Sequence, residues 1–264
     1  MSDALSRRFE AAQTIVQKAA DMALAMRPAP GGPQGSLKHA QDWLTETDGK
    51  VESFISQEMK ALFPDDGFQG EEEGQTRTGS LKWVVDPIDG TANYARGRNR
   101  WCVSLGLMDG DTPVLGVVAA PCVQEFYTAR LNHGAFMNGK PIHASPVKDP
   151  KISMIELGWS HVSKREEFLK HADAILKTGA MIRTIGSGTM SLVDVASGRS
   201  DGHFEMAINL WDVAAALVLL KEAGAYTSSF LKDGGLHQPT PVLTAAPGIA
   251  DLLSKTVNIP LEAP

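Results

Sequence analysis

A chain of 264 residues with a formal net charge of −6 argues against an extended nucleic-acid footprint and leaves open a local basic pocket for an anionic small molecule. Its content of 43% hydrophobic and 21% charged residues fits a soluble globular protein and excludes disordered and membrane-embedded classes. The length suffices for one large domain or two closely joined halves, either burying a substantial core.

In chain order, Leu5, Phe9, Ile15, Val16, Ala19, Met22, Ala23 and Met26 form one stripe and predict an amphipathic helix over residues 3–26, ended by Pro28. RPAPGGPQGSLKHAQD, residues 27–42, is rich in Pro and Gly and reads as a loop. A second helix carries Val51, Phe54, Ile55, Met59 and Leu62, and FPDDGFQGEEEG, residues 63–74, reads as a connection. Strands follow in LKWVV, WCVSLGLM, VLGVVAA and EFYTAR, with Asp109-Gly110 and Asn138-Gly139 as hairpin-type turns, so the middle is expected to be largely antiparallel sheet.

From residue 150 the elements alternate: strand ISMIEL, helix 164–177, strand MIRTI, helix 188–197, strand DGHFEM, helix 210–223, strands AYTSS and PVLTAA, and a final helix. Ser163 and Glu166 have capping-box spacing, and Gly198 and Gly224 are natural helix stops. The predicted architecture is layered, with helices stacked on mixed sheets.

MSDALSRRFEAAQTIV has no charged region leading into an apolar one, and no stretch approaches the roughly 18 apolar residues of a membrane span. A cytoplasmic protein without membrane contact is expected. Cys102 and Cys122 lack CxxC spacing and the seven histidines include no HxxxH pair, which gives no support to a disulfide framework or a histidine zinc site.

Three acidic elements remain: Glu71-Glu72-Glu73 between Gly70 and Gly74, the turn Asp86-Pro87-Ile88-Asp89-Gly90-Thr91, and Asp212 at the start of an apolar helix. Each has a plain structural explanation: a solvated face, a chain turn and a carboxylate complementing a helix dipole. Two carboxylates pressed into one turn nevertheless repel unless a cation sits between them. Together the elements suit Mg²⁺, which takes a few oxygen ligands, keeps several waters and is completed by substrate phosphate. An EF-hand fails because position 12 counted from Asp86 is Gly97, and no GxxxxGK[ST] phosphate loop is present.

GEE, then DPIDGT after an apolar strand, then WD opening an Ala-rich helix, with TETDGKVE upstream and EMAINLWDVAAA at the late Asp, resembles the inositol monophosphatase family of Mg²⁺-dependent, lithium-sensitive phosphatases. The resemblance spans nearly the whole chain. It implies an α+β / α/β fold, a layered αβαβα sandwich. It also implies a single phosphatase domain over 1–264, built from an α+β half of about 1–148 and an α/β half of about 149–264 with the active site between them.

By resemblance, Glu71, Asp86 and the Ile88 carbonyl bind a first Mg²⁺, Asp86, Asp89 and Asp212 bind a second, and a third ion shares Glu71, giving two or three ions per site. The implied reaction is metal-assisted hydrolysis of a phosphate monoester by an activated water, with ions about 3.5 to 4 Å apart. Thr91 and Asp48 match the hydroxyl-carboxylate pair that orients the water and takes its proton, and Glu71 joins them as a catalytic candidate. Gly90, Thr91, Gly186, Ser187, Gly188, Glu205, Asp212 and Lys38 are the implied substrate contacts, with helix N-terminal amides available to phosphate. Capping by Ser187 and solvation of Lys38 are the structural alternatives.

Two departures bear on the substrate. Asn209 stands where animal members have a histidine, and Trp159 falls near a small serine of theirs. An indole there stacks on a ring or fills space. Inositol monophosphate or a related polyol phosphate leads, with 3′(2′),5′-bisphosphate nucleotidase or histidinol-phosphate phosphatase activity as alternatives. A catalytically silent metal-binding interaction protein is the reading from another class. Arg96, Arg98 and Arg100 serve a second phosphate or are surface or subunit-contact charges. A homodimer is expected from the family.

Overall fold

The computed structural model describes every residue except Met1, Pro33, Ala40, Gln41 and His161. In chain order its first part holds α1 (Ser2–Met26), β1 (Ser36–His39), β2 (Asp42–Leu44), α2 (Glu46–Leu62), β3 (Gly67–Gly70), β4 (Gln75–Arg77), β5 (Leu81–Asp89) and α3 (Thr91–Ala95). Strands β6 (Cys102–Asp109), β7 (Thr112–Ala120), β8 (Glu125–Arg130), β9 (Ala135–Met137) and β10 (Lys140–Pro141) follow. They form an eight-stranded sheet in the order β10-β9-β8-β7-β6-β5-β3-β4, antiparallel except where β3 runs parallel to β5.

Strand alternation decides what packs on each face of this sheet. Trp83, Val85, Leu105 and Val117 join Ile15, Val16 and Ala19 of α1 and Val51 and Ile55 of α2 in one core, while Val84, Val118 and Ala120 point the other way. That second face meets α5 (Gly188–Ala196) and α6 (Leu210–Glu222). The register sets Gly106 opposite Gly116, and a Cβ at Gly116 would stand 2.2 Å from the Ala215 carbonyl oxygen. Only glycine there lets α6 lie directly on the strands.

A five-stranded sheet closes the other side of α5 and α6. It comprises β11 (Met154–Leu157), β12 (Met181–Arg183), β13 (Gly202–Ile208), β14 (Tyr226–Thr227) and β15 (Thr240–Ala245), in the order β12-β11-β13-β15-β14. Its outer face packs Ile155, Phe204 and Leu243 against Ile175 of α4 (Arg165–Lys177) and Leu253 of α7 (Ala250–Val257). The result is the αβαβα layering. Sandwiched between two sheets, α6 buries every residue from Val213 to Leu220, which explains why its sequence is apolar all round.

The structure departs from expectation in four places. The end of the expected loop 27–42 and the two residues after it form an antiparallel hairpin of Ser36–His39 with Asp42–Leu44; Pro33, Ala40 and Gln41 of the loop lie outside the described residues. The expected connection 63–74 supplies β3, whose partner β5 lies beyond it in sequence. Strand β5 does not stop at the first aspartate but continues to Asp89 through a bulge. The Ser163–Glu166 box does not form, because α4 starts at Arg165, the Ser163 hydroxyl pairs with Ser160 and the Glu166 carboxylate takes Arg165.

Candidate active site

The bulge in β5 is where the site begins. Asp86 pairs with Ser104 and Asp89 with Cys102, so the ladder skips Pro87 and Ile88. Asp86 Oδ1 accepts the Ile88 N–H at 3.0 Å, a local turn bond that fixes its carboxylate. Gly90, in the left-handed region at φ 94°, then turns the chain into α3, which Thr91 opens.

Asp89 is held by another part of the chain. Ser187 Oγ donates to Asp89 Oδ2 at 2.8 Å, and the N–H groups of Gly188 and Thr189 donate to its two oxygens at 3.3 and 2.5 Å. Ser187 also accepts the Met190 N–H at 3.2 Å as the N-cap of α5. The loop Gly186–Thr189 therefore does cap a helix, and the anion at that N-terminus is a protein carboxylate. Asp212 enters from the first turn of α6, with Oδ2 accepting the Asn209 N–H at 2.9 Å.

Asp86, Asp89 and Asp212 each bring an oxygen within 4.8 Å of the others. Asp86 is 1% exposed and Asp89 5%. Burial pushes all three carboxyls above their ordinary range. The Glu71 charge adds most to the shift of Asp86, and the Asp89 charge to that of Asp212. Three acids this close, Asp86 and Asp89 buried and Asp212 half-buried, oppose one another's ionisation unless a cation sits among them. The donor set, hard carboxylate oxygens backed by rigid N–H anchors, fits Mg²⁺.

Glu71 stands outside that trio. Its Oε1 lies 3.4 Å from Lys38 Nζ, which also donates to Glu72 at 2.6 Å. Burial, countered by Lys38 and assisted by the Asp212 charge, pushes Glu71 up to about 8. Burial alone would lower the Lys38 ammonium, but Glu71 and Glu72 hold it above its usual range. The Glu71–Glu73 turn is pinned by Glu52, 1% exposed, whose two oxygens accept the N–H groups of Glu72 and Glu73 at 2.9 Å each.

The Thr91 hydroxyl lies 3.1 Å from Asp48 Oδ1 and 2.8 Å from the Ile88 carbonyl oxygen. Asp48, buried at the start of α2, anchors its other oxygen on the Thr45 N–H at 2.8 Å. Burial raises its pKa.

A cavity of about 580 Å³ opens beside the trio, lined by Asp89, Asp212, Glu205, Trp159, Gly186 and Arg98 among others. Burial first, and then the Asp89 charge, push Glu205 up to about 8. A Cβ on Gly158 would stand 2.1 Å from Glu205 Oε2, so this carboxylate fits only because residue 158 lacks a side chain. Trp159 is 47% exposed and packs edge-on against Phe168, with centroids 5.1 Å apart, so it is no core filler. Another cavity, of about 440 Å³, lies around Leu217, Lys221 and Phe230 and contains none of these carboxylates.

The three arginines after the acidic turn separate. Arg100 pairs with Asp194, which removes it from the surface charges; Arg96 sits over the Trp43 ring at 6.0 Å; Arg98 lines the cavity. Sequence reasoning missed Glu52, and it missed Asn93, whose Nδ2 reaches the carbonyls of Arg100, Ile185 and Gly186 at 2.7, 2.8 and 3.2 Å. Asn93 ties α3 to the loop before α5. A polar residue within an otherwise apolar helical stripe was the signal available for Glu52; Asn93 gave none.

Two sheets separated by a helix pair, with acidic side chains converging from a strand end and a helix start, define a layered α+β protein with a candidate metal centre. The sequence pattern of the inositol monophosphatase family matches residues 4–258. The chain is 33% identical over 236 residues to an inositol-1-monophosphatase of Mesorhizobium japonicum, covering 87% of this chain and 88% of that one. It is 38% identical over 195 residues to a Xylella fastidiosa protein named Nus factor SuhB, covering 73% and 71%. Its fold matches the solved Thermotoga maritima IMPase with a TM-score of 0.85 at 28% identity, over 96% and 97% of the two chains. The chain belongs to the inositol monophosphatase family, and it is a phosphatase of that superfamily's kind.

Proposed function

We propose that the chain hydrolyses the phosphate monoester of inositol or a related small polyol, in a Mg²⁺-dependent reaction that releases inorganic phosphate. The observation that carries this is the convergence of Asp86, Asp89 and Asp212, two of which, Asp89 and Asp212, line a cavity large enough for a small ligand. Asp86, Asp89, Asp212, Glu71 and the Ile88 carbonyl would hold two or three ions. When bound, Mg²⁺ supplies Lewis acidity toward the phosphoryl oxygens and lowers the pKa of water.

The chain's own residues do the rest. Thr91 Oγ1 orients the attacking water and passes its proton to Asp48 Oδ1, 3.1 Å away. Burial makes Asp48 a stronger base than an exposed carboxylate, and a positioned base of this kind contributes about 10²–10⁴ in rate. Glu205 accepts from a hydroxyl of the leaving group, and the backbone at Gly90, Thr91, Gly186 and Ser187 would face the phosphate, the Gly188 N–H being held by Asp89. Lys38, now on the Glu71–Glu72 pair, is a second cation near the phosphate.

We further propose one catalytic unit over 1–264, its halves meeting at the carboxylates. A homodimer would find apolar cover in Ile152, Leu176 and Met181, each at least 51% exposed.

The test is phosphate release from inositol 1-phosphate, histidinol phosphate, adenosine 3′,5′-bisphosphate and fructose 1,6-bisphosphate, with and without Mg²⁺. Mg²⁺-dependent turnover is expected, with the inositol ester ahead of histidinol phosphate, the other singly phosphorylated compound. The name Nus factor, carried by the Xylella relative, keeps a catalytically silent metal-binding role as the second reading; folded, Mg²⁺-binding protein that hydrolyses none of the four would favour it.

A further inference from the structure

We propose that Arg98 forms an anion subsite in the active-site cavity and selects substrates that carry a second anionic group besides the scissile phosphate. The inference rests on the reading of the cavity as a phosphate-ester site and extends it to a residue that the reaction itself does not need.

Of the three arginines that follow the acidic turn, Arg100 is spent on Asp194 and Arg96 lies over Trp43. The guanidinium of Arg98 has no ion pair or hydrogen bond among the described residues, and it is the only cationic side chain lining the cavity among them. Three carboxylates, those of Asp89, Asp212 and Glu205, line the same space. Arg98 is exposed, so its guanidinium can meet a second anionic group of a ligand in this space without breaking an existing pair.

Arg98 is also fixed at its root. Its N–H donates to the Asn93 carbonyl at 2.9 Å, and Asn93 is the residue bonded to the Ile185 and Gly186 carbonyls. The stem therefore leaves a rigid junction next to the phosphate-facing loop. A guanidinium presents a planar fork that matches a phosphate or a carboxylate with two parallel hydrogen bonds. Trp159, half-exposed on the same cavity, gives a ring between the two anionic ends an apolar surface.

Two matched substrate pairs test this with the Mg²⁺-loaded protein. Inositol 1-phosphate against inositol 1,4-bisphosphate adds a phosphate; glucose 1-phosphate against glucuronic acid 1-phosphate adds a carboxylate. The wild type is expected to show at least a 10-fold lower KM for the doubly anionic member of at least one pair, and the pair that responds identifies the group. Arg98→Ala should erase that advantage with kcat unchanged and singly anionic substrates altered less than 2-fold, and Arg98→Lys should restore part of it. Equal effects of Arg98→Ala on both members of each pair, or no preference in the wild type, would overturn the subsite. Should the wild type hydrolyse none of the four, the phosphatase reading fails and calorimetric binding of the same compounds decides the subsite. A 10-fold tighter doubly anionic ligand that Arg98→Ala weakens supports it, and equal binding overturns it.

Discussion

The Asn209 N–H donates to Asp212 Oδ2 at 2.9 Å, so the side chain that joins the acidic trio also caps α6. The two explanations open to an acid at a helix start are both true of this one. Asp212→Asn keeps an acceptor for the cap while removing a carboxyl whose ionisation burial and the Asp89 charge oppose in the metal-free protein. Its metal-free Tm should rise above wild type, while Mg²⁺-dependent turnover falls by at least about 100-fold. Asp212→Ala loses the cap as well and should be less stable than the Asn variant by about 1 kcal/mol, read from paired thermal melts.

A pH dependence follows from Glu71 and Glu205, both pushed up to about 8. Each binds its proton more tightly in the folded chain than in the unfolded one. The stability they contribute is therefore whole below the ordinary glutamate value near 4.5 and is lost as pH rises through about 8. Thermal melts in chelator should show Tm falling across that window, and saturating Mg²⁺ should flatten the fall by replacing protons at the carboxylates. A metal-free Tm that climbs with pH would contradict the cluster's electrostatics.

Glu52 touches no substrate, yet its two oxygens hold the Glu72 and Glu73 N–H groups at 2.9 Å. Hydrogen bonds to a charged acceptor are worth about 1.5–3 kcal/mol each at most, and Glu52→Ala removes both. The expected outcome is about a 10-fold higher Mg²⁺ concentration for half-maximal activity, with turnover at saturating Mg²⁺ within a few-fold of wild type. Glu52→Gln, which retains one acceptor oxygen, should fall between.

Lys38 occupies with its ammonium the charge that a metal ion would otherwise see on Glu71. Replacing it with methionine leaves that carboxylate unpaired. Mg²⁺ titrated calorimetrically into Lys38→Met, without substrate, should bind a few-fold more tightly than into wild type, about 1 kcal/mol for a part-exposed pair.

What the sequence made legible was what is local. DPIDGT and WD place their acids by a strand end, a glycine turn and a helix start, all decided within a few residues, and the alternation after residue 150 marks the second sheet by periodicity alone. The failures share a cause. Strand β3 is four residues long and exists because β5 offers it an edge, and the β1–β2 hairpin is shorter than any periodic signal. The fates of Arg96, Arg98 and Arg100 are set by Trp43, the cavity and Asp194, each contributed by another element, so spacing could not separate them. Ser163 failed as a cap because Ser160 took its hydroxyl.

The central claim is that Asp86, Asp89 and Asp212 are held together for a divalent cation that drives phosphate-ester hydrolysis. Phosphate release from inositol 1-phosphate, followed as Mg²⁺ is added back to chelator-stripped protein, tests it most directly. The account predicts no turnover without the ion, saturating recovery with it, and loss of that recovery in Asp89→Asn while the circular dichroism spectrum is kept. Equal turnover in chelator and in Mg²⁺, or an Asp89→Asn variant as active as wild type, would contradict it.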